Sequence, residues 1–372
     1  MAGNSIRRRD FVSGGALVAG ALAGGLGRAQ VKGGKKAPGI GKILNYSENM
    51  EYRRLGKTGL MVSAVCMGGH WKRIGNMLGK NIVPQQYSDN DWTYLDLPGF
   101  YKNRDEVVSH CMEVGINYID AMAAPEVVAY AKVLKGRRDK MYLGYGWWPK
   151  EPRYKEWRTG KKLIQGLDEN FKQAGLDYVD LWRIALPMEG IPDLGELQRV
   201  EEATIEGLTM AKKQGKARFT GVSTHNRIWL QSIIESYPDQ IQVVLFPYTA
   251  TSKQLPKDSV FDAIKEHDVG AFGIKPFADN SLFVGDGSQS SPQAQEDDRR
   301  ARLAIRNILS NPAITAPIPG MVNTHQVDNA ALAVRERRQL DHGEKAELER
   351  AGREMWSRLR PGYEWLKDWE YV

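Results

Sequence analysis

Side chains that handle protons or charge stand at the ends of several β-rich runs in this sequence. Asp120 ends INYIDA (116–121) but for one residue, Glu126 follows six positions later, and His225 comes just after ARFTGVS (217–223). A histidine with a pKa of about 6.5 serves as acid or base near neutral pH. Asp120, His225 and Glu126 are therefore the candidate catalytic residues. Each of the last two also has a structural reading. His225 can be a hydrogen-bonded residue opening a helix, and Glu126 a first-turn residue favoured by the helix dipole. Arg183 interrupts the apolar run YVDLWRI (178–184), so its charge needs a partner. Asp120 or Glu126 would supply one, and an acidic substrate is the functional reading. Lys275 reads equally as phosphate-binding, proton-relaying or structurally paired. His70, Trp71, Trp147, Trp148 and Tyr248 complete the set, and no metal site is expected.

The elements that position these groups alternate in type. Apolar runs at 62–68, 116–121, 140–146, 178–184, 217–223, 241–248, 269–276 and 314–320 read as strands covered on both faces. Helical patterns fall between them, as at 105–115, 160–175, 197–216 and 298–311, several ending in glycine. Eight such units predict a (β/α)₈ barrel of the α/β class, with an open doubly wound sheet as the rival. An N-terminal hairpin, a long loop after the first strand (71–100) and an extra C-terminal helix complete it. In a barrel, chemistry sits at the C-terminal strand ends. The segment 279–297 reads as a mobile surface loop. The aromatic tail 352–372 reads as a helix and arm closing the outside, with a ligand-binding role as the alternative. Adjacent Trp147 and Trp148 cannot share one face of a strand, so one belongs to the rim.

The motifs YRRLGKTGLMVSAVCMGG (52–69), GINYIDAM (115–122), RRDKMYLG (137–144), LDYVDLW (176–182), FTGVSTHN (219–226) and PIPGMVNTHQVDN (317–329) occur in order. In that order the chain resembles the aldo/keto reductases over about residues 50–340. The resemblance implies carbonyl reduction by hydride from a nicotinamide cofactor, NAD or NADP. In that chemistry a Tyr gives the proton, Lys and His polarise it, and an Asp balances the Lys. Asp120 matches the Asp, but the Tyr slot holds Pro125, the Lys slot Gly146 and the His slot Ala185. Those three side chains carry no proton. For the cofactor, the resemblance points to Ser223 and Thr224 at the nicotinamide amide. Tyr248, Lys275, Phe277 and Met321, at later strand ends, are further cofactor candidates, and the resemblance puts Gly320 and Gln326 where basic residues would grip a 2′-phosphate. Leu245 stands where a Gln is usual and Ala330 where an Asn is usual.

The expected activity is an NAD(P)-linked oxidoreductase with a non-standard acid–base site, acting on a small carbonyl, polyol or sugar. The alternatives are a catalytically inactive barrel that binds a ligand and a non-redox lyase or isomerase. Residues 5–29, SIRRRDFVSGGALVAGALAGGLGRA, resemble a twin-arginine export signal. The expected organisation is a signal at 1–29, a flexible linker at 30–48 and a barrel at 49–372. The twin-arginine translocase would be a transient partner, and the location periplasmic or secreted. The 372 residues carry a formal charge of +7, of which Arg7, Arg8, Arg9 and Arg28 less Asp10 account for +3. The remainder is too weak to argue for nucleic acid. No run is apolar and long enough for a stable membrane span. Cys66 and Cys111, the only cysteines, read as buried thiols rather than a disulfide.

Overall fold

The computed structural model describes residues 43–367 except 72, 79–90, 187–193 and 253–258. The expected signal and most of the expected linker lie outside the described residues, as do Trp369 and Tyr371.

A hairpin comes first. Strands β1 (Tyr52–Arg54) and β2 (Met61–Ser63) pair antiparallel, Tyr52 facing Ser63. The turn between them takes Gly56 (φ +47°) and Gly59 (φ +69°) into the left-handed region, where glycine is unstrained. Leu55, Leu60 and Val62 then plug one end of a parallel sheet. That sheet runs β3 (Met67–Gly68), β4 (Tyr118–Ala121), β5 (Tyr142–Tyr145), β6 (Val179–Ala185), β7 (Ala217–Ser223), β8 (Val243–Pro247), β9 (Gly270–Ile274) and β10 (Ala316–Pro317), each beside the next. A parallel bridge from Gly68 to Gly320 joins first to last, helped by Gly68 N–H to Pro319 O at 2.8 Å. The eight strands thus form the expected (β/α)₈ barrel rather than an open sheet.

Helices α1 (Ile74–Met77), α2 (Phe100–Glu113), α3 (Ala124–Val133), α4 (Gly160–Ala174), α5 (Leu194–Lys213), α6 (Arg227–Ser236), α7 (Val260–Glu266), α8 (Ala294–Leu309), α9 (Thr324–Arg335) and α10 (His342–Ser357) follow. Among them α10 is the expected extra C-terminal helix. No described helix is long and apolar enough to cross a membrane. Cys66 and Cys111 are both free and buried, and burial pushes the Cys111 thiol up to about 12.

Side chains alternate across each strand, so one residue parity faces the barrel axis. At the hairpin end the axis holds Cys66, Tyr118, Tyr142, Leu181, Val243, Leu245 and Phe272. Two and four residues further along, the same parity delivers Gly68, Asp120, Arg183, Ala185, Ser223, Ile274 and Gly320. All of these line the cavity at the opposite end. The strand period therefore decides which residues reach the mouth.

Candidate active site

Asp120 and Arg183 enter the barrel from β4 and β6, with β5 between them. Asp120 stands level with Gly144 on β5, and Gly144 stands level with Leu181 on β6. The inward positions of β5 at this level are Gly144 and Gly146, which leave the space between the charged chains open. A Cβ on Gly144 would stand 2.7 Å from Asp120 Oδ1. A Cβ on Gly146 would stand 2.9 Å from Arg183 Nη1 and 2.5 Å from Met122 Sδ. Through this gap Arg183 Nε donates to Asp120 Oδ1 at 3.1 Å, and Nη2 donates to Oδ2. Both residues are buried. Burial alone would lower the guanidinium's pKa, but the Asp120 charge and hydrogen bonds hold it above the usual arginine value. Asp120 is thus neutralised by Arg183, whose guanidinium occupies the space a side chain at 146 would need. The Tyr118 hydroxyl donates to Asp120 Oδ1 at 3.5 Å from below. It is sealed against Phe272 in the barrel core and does not line the cavity.

A second polar unit stands beside the first. Glu126, at the third position of α3, accepts Met122 N–H at 3.0 Å and Ala123 N–H at 3.2 Å through Oε2. These are otherwise orphaned donors at a helix start whose cap residue, Ala123, has no side-chain acceptor. Its Oε1 lies 2.6 Å from His70 Nδ1. Glu126 is fully buried, whereas the His70 side chain is 39% exposed, and both line the cavity. Gly69 makes this approach possible, because a Cβ there would overlap the Glu126 carboxylate. The structural expectation for Glu126 holds, since it stabilises the helix start, and its contact with the His70 imidazole is one the sequence did not suggest.

His225 is corrected by its surroundings. It precedes the Asn226 cap of α6 and stacks on Trp365, with ring centroids 4.2 Å apart. Burial, reinforced by Lys275 and Arg153, drives its pKa down to about 3. It is neutral near pH 7, so it is not the near-neutral acid expected from sequence. The tail is corrected as well. Tyr363 and Trp365 cover the mouth rather than the outside, with Lys275 Nζ 5.1 Å from the Tyr363 centroid. Trp148 is the rim residue, while Trp147 is buried, as is Trp71 between Phe100 and Tyr130.

Of the expected cofactor residues, Ser223, Lys275, Phe277, Gly320, Met321 and Gln326 line the same cavity, of about 510 Å³. Tyr248 and Thr224 do not. Tyr248 falls one residue out of phase with β8 and lines a separate cleft against α10, its hydroxyl held by Asn311 at 2.9 Å. Thr224 is out of phase with Ser223 and caps the following turn through its hydroxyl. Gly320 has no room for a side chain, since a Cβ would overlap the His70 carbonyl. Gln326 spans Val322 N–H (2.9 Å) and Gly287 O (3.3 Å). The segment 279–297 is thereby tied across the mouth, with Asp297 accepting Val284 N–H at 2.8 Å and Gly285 N–H at 3.0 Å. Sequence reasoning missed Glu151. Its buried carboxylate accepts Trp147 N–H and Ala185 N–H, both at 2.7 Å, and joins the ends of β5 and β6.

Comparison with known proteins agrees with the barrel fold. Residues 101–353 match the aldo/keto reductase family. The chain is 24% identical over 254 residues to an L-glyceraldehyde 3-phosphate reductase of Escherichia coli, the match covering 66% of each chain, just under two thirds. It is 24% identical over 315 residues to an L-galactose dehydrogenase of Arabidopsis thaliana, covering 77% of this chain and 89% of that one. An aldo-keto reductase of Bacillus halodurans shares the fold at TM-score 0.54 and 19% identity, covering 85% of this chain and 99% of that one.

Arg183→Met strands the Asp120 carboxylate in the barrel. It should cost about 3–5 kcal/mol in urea denaturation, most of it recovered in the Asp120→Asn/Arg183→Met double variant. Glu151 yields a pH test. Burial, against the two backbone amides, raises its pKa from 4.5 to about 7. A folded pKa above the unfolded one means the native state binds more protons between the two values. That contribution is complete below 4.5 and is lost as pH rises through about 7. The wild type should therefore lose more thermal stability between about pH 5 and 8 than Glu151→Gln.

Proposed function

The chain belongs to the aldo/keto reductase family, and from that premise we propose a nicotinamide-linked oxidoreductase of small sugars or polyols with relocated proton transfer. The carrying observation is a single cavity that unites the His70–Glu126 dyad and the Asp120–Arg183 pair with the groove beside α8 and α9. The names of two relatives, a sugar-phosphate reductase and a sugar dehydrogenase, favour a carbohydrate-like substrate.

The residues present fit a nicotinamide dinucleotide. Ser223 would meet the nicotinamide end, and Gln326 and Asn329 the adenosine end. Arg73 lines the cavity, and burial lowers its pKa against the pull of Asp297 and Asp286. The adenosine end also carries Asp297 and Asp298, and it lacks space for a basic side chain at 320. Carboxylates beside a ribose accept hydroxyl hydrogen bonds and repel a 2′-phosphate, so NAD is the cofactor of this reading. When bound, a nicotinamide supplies or accepts hydride at the substrate carbon.

The chain must then manage the matching proton at the substrate oxygen. His70 is the side chain placed for it, exposed to the cavity and oriented through Nδ1 by a carboxylate that two backbone amides hold still. Arg183 holds positive charge beside the reacting region in the space freed at Gly146, and Asp120 fixes its position. His225, kept neutral, contributes a hydrogen-bonding wall. Export by the twin-arginine route is part of the same proposal. It moves folded proteins, so a tightly held cofactor would travel with the enzyme and recycle between two substrates.

Full-length purified protein should show tryptophan quenching by NAD⁺ at least tenfold tighter than by NADP⁺. No quenching at millimolar concentration of either would leave a ligand-binding barrel or a non-redox enzyme. His70→Asn should keep cofactor binding and lower turnover by about 10²–10⁴. In cell fractionation, Arg8→Lys/Arg9→Lys should hold the protein in the cytoplasm. Export of that variant at the wild-type level would remove the twin-arginine reading.

A further inference from the structure

We propose that the substrate is recognised through a negatively charged group, carboxylate or phosphate, seated between Arg153 and Lys275 beside the Trp148 and Tyr363 rings. The proposal deepens the oxidoreductase reading of this cavity and rests on it.

Both cations line the cavity. The Arg153 guanidinium lies 5.4 Å from the Trp148 ring centroid, and among the described residues no carboxylate pairs with it. Lys275 follows β9 in a left-handed conformation, φ +57°, which a residue bearing a Cβ seldom adopts. That backbone brings its Nζ 5.1 Å from the centroid of Tyr363 and 6.0 Å from that of Trp365. The two cations flank His225, whose proton affinity both depress after burial.

Among the described residues, four carboxylates at this end of the barrel have partners. Asp279 pairs with Arg360 at 2.5 Å. Asp120 is matched by Arg183, Glu126 holds His70, and Glu151 accepts two backbone amides. A planar guanidinium and an ammonium that both act on His225 from the cavity wall suit a two-oxygen or three-oxygen anion. The flanking aromatic faces suit the carbon chain such an anion carries.

Calorimetric titration of the full-length protein with inorganic phosphate and with D-glycerate, against chloride at matched ionic strength, tests this. At least one anion should bind saturably. Arg153→Gln and Lys275→Met should each weaken it tenfold or more, while Arg73→Gln, at the cofactor groove, leaves it unchanged. Phosphate alone would mark a phosphorylated substrate, and glycerate alone a hydroxy acid. Failure of both anions, wild-type binding by Arg153→Gln, or loss in Arg73→Gln instead would overturn the proposal. NAD⁺ quenching on the same samples separates the two readings. Anion binding without quenching leaves the anion site and removes the oxidoreductase, and quenching without anion binding does the reverse.

Discussion

The ion pair between Asp120 and Arg183 organises this barrel's mouth. Two opposite charges in the interior of a parallel sheet are tolerable only when each satisfies the other, because desolvation of either alone costs several kcal/mol. Meeting that condition requires an open path between β4 and β6, and the inward positions of β5 are accordingly Gly144 and Gly146. Positive charge faces Asp120 from β6, and a larger residue at 146 would collide with it.

In the proposed reading, proton handling falls to a different pair of residues. The slots at Pro125, Gly146 and Ala185 carry no titratable group, whereas His70 and Glu126 meet from the end of β3 and the first turn of α3. Glu126 serves two needs at once, satisfying helix-start amides and fixing an imidazole, so its position is held by more than one hydrogen bond. Gly69 is part of the arrangement for a steric reason, as Gly144 and Gly146 are for the ion pair.

Around this centre the C-terminal tail and the segment 279–297 border the cavity together, joined by Arg360–Asp279 and by Arg358 Nε donating to Ser281 O. Trp365 stacks on the partly buried His225, whose pKa is lowered by desolvation and by Lys275 and Arg153. Asp297 and Gln326 tie the other segment down with backbone hydrogen bonds, and buried Leu282 with half-buried Phe283 anchors it by apolar packing. A Gly- and Ser-rich composition therefore coexists with a defined path, because anchors lie near both of its ends and on α9.

What the sequence determined by itself was local and periodic. Apolar runs of strand length separated by amphipathic helices specified the eight-unit barrel, and alternation along each strand placed Asp120, Arg183, Ser223 and Gly320 at its mouth. The need of Arg183 for a carboxylate followed from its apolar neighbours alone. Only the tertiary structure decided which partners met. Asp120 and Arg183 lie 63 residues apart and His70 and Glu126 lie 56 apart. His225 took its character from Trp365, well over a hundred residues away. Tyr248 pointed away because its phase within β8 was one residue off. The physical reason is that a side chain's chemistry depends on its solvent exposure and its neighbours. Both are set by the closure of the sheet and the placement of the tail, not by adjacency along the chain.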